Sequence, residues 1–207
     1  ILGASTPGLS GIVSLAGTSI RGDSIMRIQT KLISESTGGN GAQQELTHSY
    51  NNAIWDAAIA SANIKEFEKE LSSISKDFIK KFRKKNLIKK SEKTEVINTV
   101  KNTWLNPWMY EFIRYSPSID IPSIQCAVLV LIGSRDIQVT SKENIRGYND
   151  LLPNNGKLHI VKELKGLNHL FQRCETCTIS EYQQLEETFS TIALEEIRSF
   201  LKRIWAE

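Results

Sequence analysis

The chain has 207 residues, of which 40% are hydrophobic and 24% charged, enough for one ordinary domain with a real core. Its formal net charge of +3 is too small to argue for a nucleic-acid partner, and no apolar run approaches the roughly 20 residues that span a bilayer. Its three cysteines, a C-x-x-C pair at Cys174 and Cys177 and a solitary Cys126, lack the second pair that a zinc ribbon needs, so no metal or cofactor is expected.

Ile1 rather than methionine opens the chain. "ILGASTPGLSG" has no basic start and no signal-peptide shape. It reads as the tail of a helix entering a turn, at a terminus expected to arise by processing or truncation, with any targeting segment lost. "GIVSLAG" (residues 11–17) is bounded by glycines and reads as a buried strand. A loop, "TSIRGDS", leads to the helix "SIMRIQTKLI", capped by Asp23 or Ser24. The "RGD" within that loop is discounted as a chance tripeptide. "SESTGGNGAQQ" (34–44) predicts a flexible break.

Residues 45–115 read as entirely helical. Ile64, Phe67, Leu71, Ile74, Phe78 and Phe82 recur at steps of three and four, giving one apolar stripe. The opposite face is basic, "IKKFRKKNLIKK" (79–90). Such a run is able to bind an acidic membrane or nucleic acid, but the plainer reading is a solvated helix face. Val96, Ile97, Val100 and Trp104 form a second stripe that ends at Pro107.

"AVLVLIG" (127–133) is apolar on both faces, as a central parallel strand should be. A helix from Ser141, a strand "KLHIVKEL" (157–164), the loop "GLNHLFQ" and a last helix from near Ser190 complete the chain. In that loop Gly166 and Asn168 read as turn-permitting residues. The alternation predicts an α/β fold with a parallel sheet covered by helices. The core is 1–34 with 116–207, and 35–115 is an inserted helical unit. His48 and His159 read as structural, and Cys174 and Cys177 as plain loop thiols, with a redox motif or a local disulfide as the other states open to the pair.

In open α/β sheets functional residues gather beyond the carboxyl ends of the strands. Asp136 follows one strand and His169 another. If the strands are neighbours, the carboxylate can hold the imidazole in one tautomer while the other ring nitrogen takes a proton from a nucleophile. An Asp capping a turn and a His packed in a loop is the competing reading, and spacing alone does not choose.

"IQCAVLVLIGSRDIQVTSKEN" and "VKELKGLNHLFQ", continued by "SEYQQLEETFS" and "ALEEIRSFL", resemble the C-terminal part of bacterial α/β-hydrolases, the serine esterases related to dienelactone hydrolases and acylaminoacyl peptidases. "GIVSLAGTSIRGDSIMRIQ" resembles the strand and loop after the nucleophile helix in that family, and "NPWMYEFIRYSPS" the return from its cap. Ala127 departs from the proline that usually opens the strand. The resemblance implies hydrolysis of a carboxylic ester or related acyl bond through an acyl-enzyme. Asp136 would orient, His169 would act as base and then acid, and 35–115 would be a cap. Trp104 and Trp108 are candidates for lining the acyl pocket, with core packing as the competing role.

The family's serine sits on a G-x-S-x-G elbow, which this sequence lacks. The family order places the serine before Asp136, and the match of "ILGAS" to the end of the elbow's helix places it before Ile1. An internal rival, Ser19, sits in G-x-S-x-x-G, one residue too long. The expected partner is a small acyl ester or amide, with no nucleic acid. Residues 11–17, left as a sheet edge, are expected to recruit other chains. The alternative is a truncated, non-catalytic hydrolase-like binding or interaction module.

Overall fold

The structure, a computed structural model, describes residues 2–38 and 41–206. The chain divides into two compact units. One comprises residues 1–36 and 116–207, the other 37–115.

The first unit begins with a single helical turn, α1 (Leu2–Ser5), and enters the sheet at β1 (Gly11–Leu15). The next helix, α2 (Gly22–Ser36), belongs to the same unit. After the insertion come β2 (Ala127–Gly133), α7 (Ser141–Leu151), β3 (His159–Leu164) and α8 (Thr191–Trp205). The three strands form one parallel sheet in the order β1-β2-β3. The molecule is thus mixed α/β, a small parallel sheet flanked by helices.

The alternation of side chains along β2 explains the layering. Every residue of β2 is buried. Ala127, Leu129 and Leu131 face one way and pack with Leu164, Leu167, Phe171, Ala193 and Phe200, the last two from α8. Val128, Val130 and Ile132 face the other way, toward Tyr148 of α7 and toward Ile121, Ile124 and Cys126. Burying each of these branched side chains is worth about 1.5–3 kcal/mol, so β2 anchors both layers. α8 is started by Ser190, whose hydroxyl accepts a hydrogen bond from the amide of Ile192.

Some boundaries differ from the sequence reading. α2 begins at Gly22, before the residues proposed as its cap, and the Asp23 carboxylate binds Arg21 and Arg27 instead. The break expected over 34–44 is shorter. α2 runs on to Ser36, with Lys31 and Glu35 one turn apart on its surface, and the next helix begins at Gly41. Residues 39 and 40 of that break lie outside the described residues.

The second unit is helical: α3 (Gly41–Ala60), α4 (Ile64–Lys84), α5 (Lys93–Trp104) and α6 (Pro107–Arg114). Asn63 caps α4 by accepting from the amides of Lys65 and Glu66. Asn106 caps α6 in the same way, ahead of a proline at the first helical position. The predicted stripe on α4 supplies Phe67, Leu71 and Phe78 to this unit's core, with Ile54, Trp55, Ala58 and Ile113. Phe67 stacks on Tyr110. Arg114 reaches the carbonyls of Ala58 and Ser61 at the end of α3, where a cation meets the negative pole of the helix. Residues 85–92, expected as helix, form a turn that starts at Asn86 with φ of 56°. Trp104 is buried against Trp55, whereas Trp108 is 67% exposed and stacks on Phe112. Among the described residues no helix is long and apolar enough to cross a membrane.

Candidate active site

β2 and β3 lie side by side, with Gly133 paired to Leu164 in register. Their carboxyl ends are therefore level, and the segments leaving them meet. Two contacts fix how closely they do so. The Leu167 carbonyl accepts from the amide of Arg135 at 3.0 Å, and the Ser134 hydroxyl accepts from the amide of Gly166 at 2.9 Å. A Cβ at position 133 would stand 2.2 Å from the Leu167 carbonyl oxygen, so only glycine ends β2 with the histidine loop this near.

Asp136 is buried, and its two carboxylate oxygens have separate tasks. Oδ1 accepts from the amides of Gln138 and Val139, both at 2.8 Å, closing a tight turn on itself. Oδ2 accepts from Nδ1 of His169 at 2.9 Å. The two amides hold the carboxylate in place, which leaves Oδ2 to set the imidazole. The His169 side chain is 27% exposed, and among the described residues its Nε2 has no hydrogen-bond partner. With a proton on Nδ1 shared toward the carboxylate, Nε2 is left as an acceptor.

The loop that carries His169 is built around Asn168, which is completely buried. Its Oδ1 accepts from the amides of Leu170 and Gln172, and its Nδ2 donates to Gln172 Oε1. Asn168 is thus both the turn residue that the sequence suggests, its carbonyl accepting from the amide of Phe171 at 3.1 Å, and the buried centre of the loop. The left-handed positions are Gly166, with φ of 80°, and Phe171, with φ of 58°. A phenylalanine there is strained by about 1–3 kcal/mol, and its ring is held by burial and by Phe189 at 5.3 Å.

Tyr182 is a member of the site that sequence reasoning missed. Its hydroxyl accepts from Gln138 Nε2 at 3.2 Å. Burial pushes the phenol's pKa up. The hydrogen bond from Gln138 works against this, the Asp136 charge adds to it, and the His169 backbone opposes it. The hydroxyl is thus a neutral neighbour of both Asp136 and the His169 backbone. It lies 13 residues beyond His169 in a polar stretch with no periodicity to betray it.

Ser19 is buried and engaged elsewhere. Its hydroxyl donates to the Asn144 carbonyl at 2.8 Å, and its amide donates to Asn144 Oδ1. It is lodged so closely against α7 that a Cβ at Gly147 would fall 2.2 Å from its Oγ. It makes no hydrogen bond to His169. Cys174 and Cys177, expected as plain thiols, are joined in a disulfide. The turn between them brings the sulfurs together while Glu181 accepts from the amides of Glu175 and Cys177 and from the Thr176 hydroxyl. These bonds, chiefly that from the Glu175 amide, hold the Glu181 carboxyl below its usual pKa. Cys174, Cys177 and Glu181 are spaced as a metal site would be, but the sulfur–sulfur bond removes both thiolates. Cys177 and Asp136 also border a cavity of about 560 Å³ whose other walls include Ile28 and Leu32 of α2 and the start of α7.

The arrangement can hold an imidazole in one orientation against a fixed carboxylate, with its Nε2 facing away from that carboxylate. Compared with known protein families, curated proteins and solved structures, the chain matches none.

Proposed function

We propose that Asp136 and His169 are the acid and base of a serine-hydrolase triad acting on carboxylic esters or related acyl bonds. The observation that carries this is the 2.9 Å bond from His169 Nδ1 to a buried carboxylate already held by two backbone amides. A packed loop histidine needs no such partner. A catalytic one does, because the carboxylate fixes the tautomer and offsets the charge that forms when Nε2 takes a proton. The fold proposed is the C-terminal part of an α/β-hydrolase, whose strand ends would present the pair.

The nucleophile proposed is a serine from a segment preceding Ile1, since Ser19 is spent on Asn144 and no G-x-S-x-G occurs in the chain. His169 removes the serine proton as the hydroxyl attacks the acyl carbon. It returns that proton to the leaving oxygen, and in the second half-reaction it activates water.

The test is turnover of p-nitrophenyl esters by the protein with its preceding segment included. Asp136→Asn and His169→Gln are each expected to lower the rate by about three to four orders of magnitude. Turnover indifferent to both overturns the triad. Turnover by residues 1–207 alone that Ser19→Ala abolishes moves the nucleophile to Ser19. No turnover in any form favours the non-catalytic module.

A further inference from the structure

The end of α4 and the turn after it carry charge that the proposed chemistry does not use. Residues 80–93, "KKFRKKNLIKKSEK", hold eight cations against one carboxylate. With the whole chain at +3, the remainder is net acidic. All eight cationic residues are exposed. Among the described residues only Lys80 pairs with a carboxylate, Asp77 at 3.4 Å. Glu92, the acid within the run, is turned to the amide of Lys89.

A helix C-terminus attracts a few cations for its own stability, and Lys81, Arg83 and Lys84 in the last turn of α4 fill that need. It does not account for Lys85, Lys89, Lys90 and Lys93, which lie beyond the helix or start the next one. Like charges packed this closely repel one another, so they are tolerated at a cost that an anionic surface would relieve.

We propose that this face docks on an anionic phospholipid surface. Three features favour a bilayer over a nucleic acid. Seven of the eight cations are lysines, compact point charges suited to a diffuse layer of headgroups, whereas the planar fork of arginine is the better phosphodiester reader. Within the run the single aromatic, Phe82, is half-buried and engaged edge-on by Tyr50, so the run itself offers no free ring face for stacking on bases. Between the two groups of cations the helix has ended by Asn86, with φ of 56°, and Leu87 and Ile88 are half-buried, keeping part of their apolar surface in solvent for a headgroup layer to cover. The docking requires no membrane-spanning segment and stands independently of the ester chemistry.

The experiment is co-sedimentation of the full chain with vesicles of phosphatidylcholine, with and without about 30% phosphatidylserine. Binding is expected on the anionic vesicles alone, and it should fall sharply between about 0.1 M and 0.5 M salt. Each lysine near the surface contributes about a fivefold change in partitioning, so replacing Lys84, Lys85, Lys89 and Lys90 with Gln should weaken it at least about a hundredfold. Because these side chains are exposed, an unchanged circular-dichroism melt separates lost docking from lost folding. Leu87→Ser with Ile88→Ser should weaken docking while leaving its salt dependence. Equal binding to neutral vesicles, or anionic binding unaffected by the four Gln changes, overturns the proposal. So does tight binding to a duplex or single-stranded oligonucleotide with none to vesicles.

Discussion

Asn168 shows how one buried amide can decide where a neighbouring histidine points. It bonds to two amides and a side chain of its own loop, and the two bonds to Gln172 are buried away from water. Asn168→Ala would leave the Gln172 amide and the Gln172 Oε1 unsatisfied in the interior, and would free the Leu170 amide at the loop's surface. The expected cost is about 2–4 kcal/mol, read as a lower urea midpoint, together with loss of the single environment of the His169 ring in NMR spectra. An unchanged midpoint would show that the loop is held by other contacts. The sequence showed Asn168 as a turn former and Gly133 as a strand end. Neither closer role was legible, because both arise when two loops separated by 33 positions in the chain approach each other. Asp136 and His169 themselves were legible, since each follows an apolar run by a few residues and parallel strands deliver such positions to a common edge.

At the scale of elements, β2 was legible to the residue, because a seven-residue run apolar on both faces has no other stable use in this chain. The start of α2 was not. Asp23 looked like a cap, but a carboxylate flanked by Arg21 and Arg27 gains more from those two cations. Burial alone would raise its pKa. The hydrogen bond and charge of Arg21, reinforced by Arg27, outweigh burial and leave it below the ordinary aspartate value. Since the folded value is the lower one, the stabilisation is full above the unfolded pKa of about 3.9 and is lost as the pH falls through and below it. Denaturation measured from pH 6 downward should therefore show a loss of stability below about pH 4 that Asp23→Asn removes in part. Identical acid limbs for the two proteins would discount the cluster. The disulfide was illegible for another reason, as C-x-x-C is equally the spacing of free, redox-active and metal-bound thiols. It closes a very short loop, so by the chain-entropy argument reduction should cost about 2 kcal/mol. A calorimetric scan with dithiothreitol is expected to keep one cooperative transition, lowered by less than about 8 °C. Loss of the transition would make the bond essential to the fold.

For the whole molecule, the sheet has β1 on one margin and β3 on the other, with β2 buried between them. β1 was expected as a buried strand, yet four of its residues are only half-buried and Leu15 is exposed. A parallel strand with an open backbone edge recruits another strand. Residues 1–207 on their own are expected to self-associate with rising concentration in sedimentation velocity. A monomer persisting at high concentration would count against an adhesive edge. The connectivity also has a consequence in time. β1 and β2, its partner among the described residues, are separated by 111 residues of chain. At about 5–20 residues per second, a ribosome delivers β2 on the order of ten seconds after β1 has emerged. Through that interval β1 lacks β2, while the helices of 37–115 can settle through their own local contacts. Asp136 and His169 come later still, so the pair is among the last features of the molecule to exist. A strand left waiting is a hazard in proportion to its length and apolarity. At five residues, one of them serine and one glycine, β1 is about as short as it can be and still hold its register beside β2.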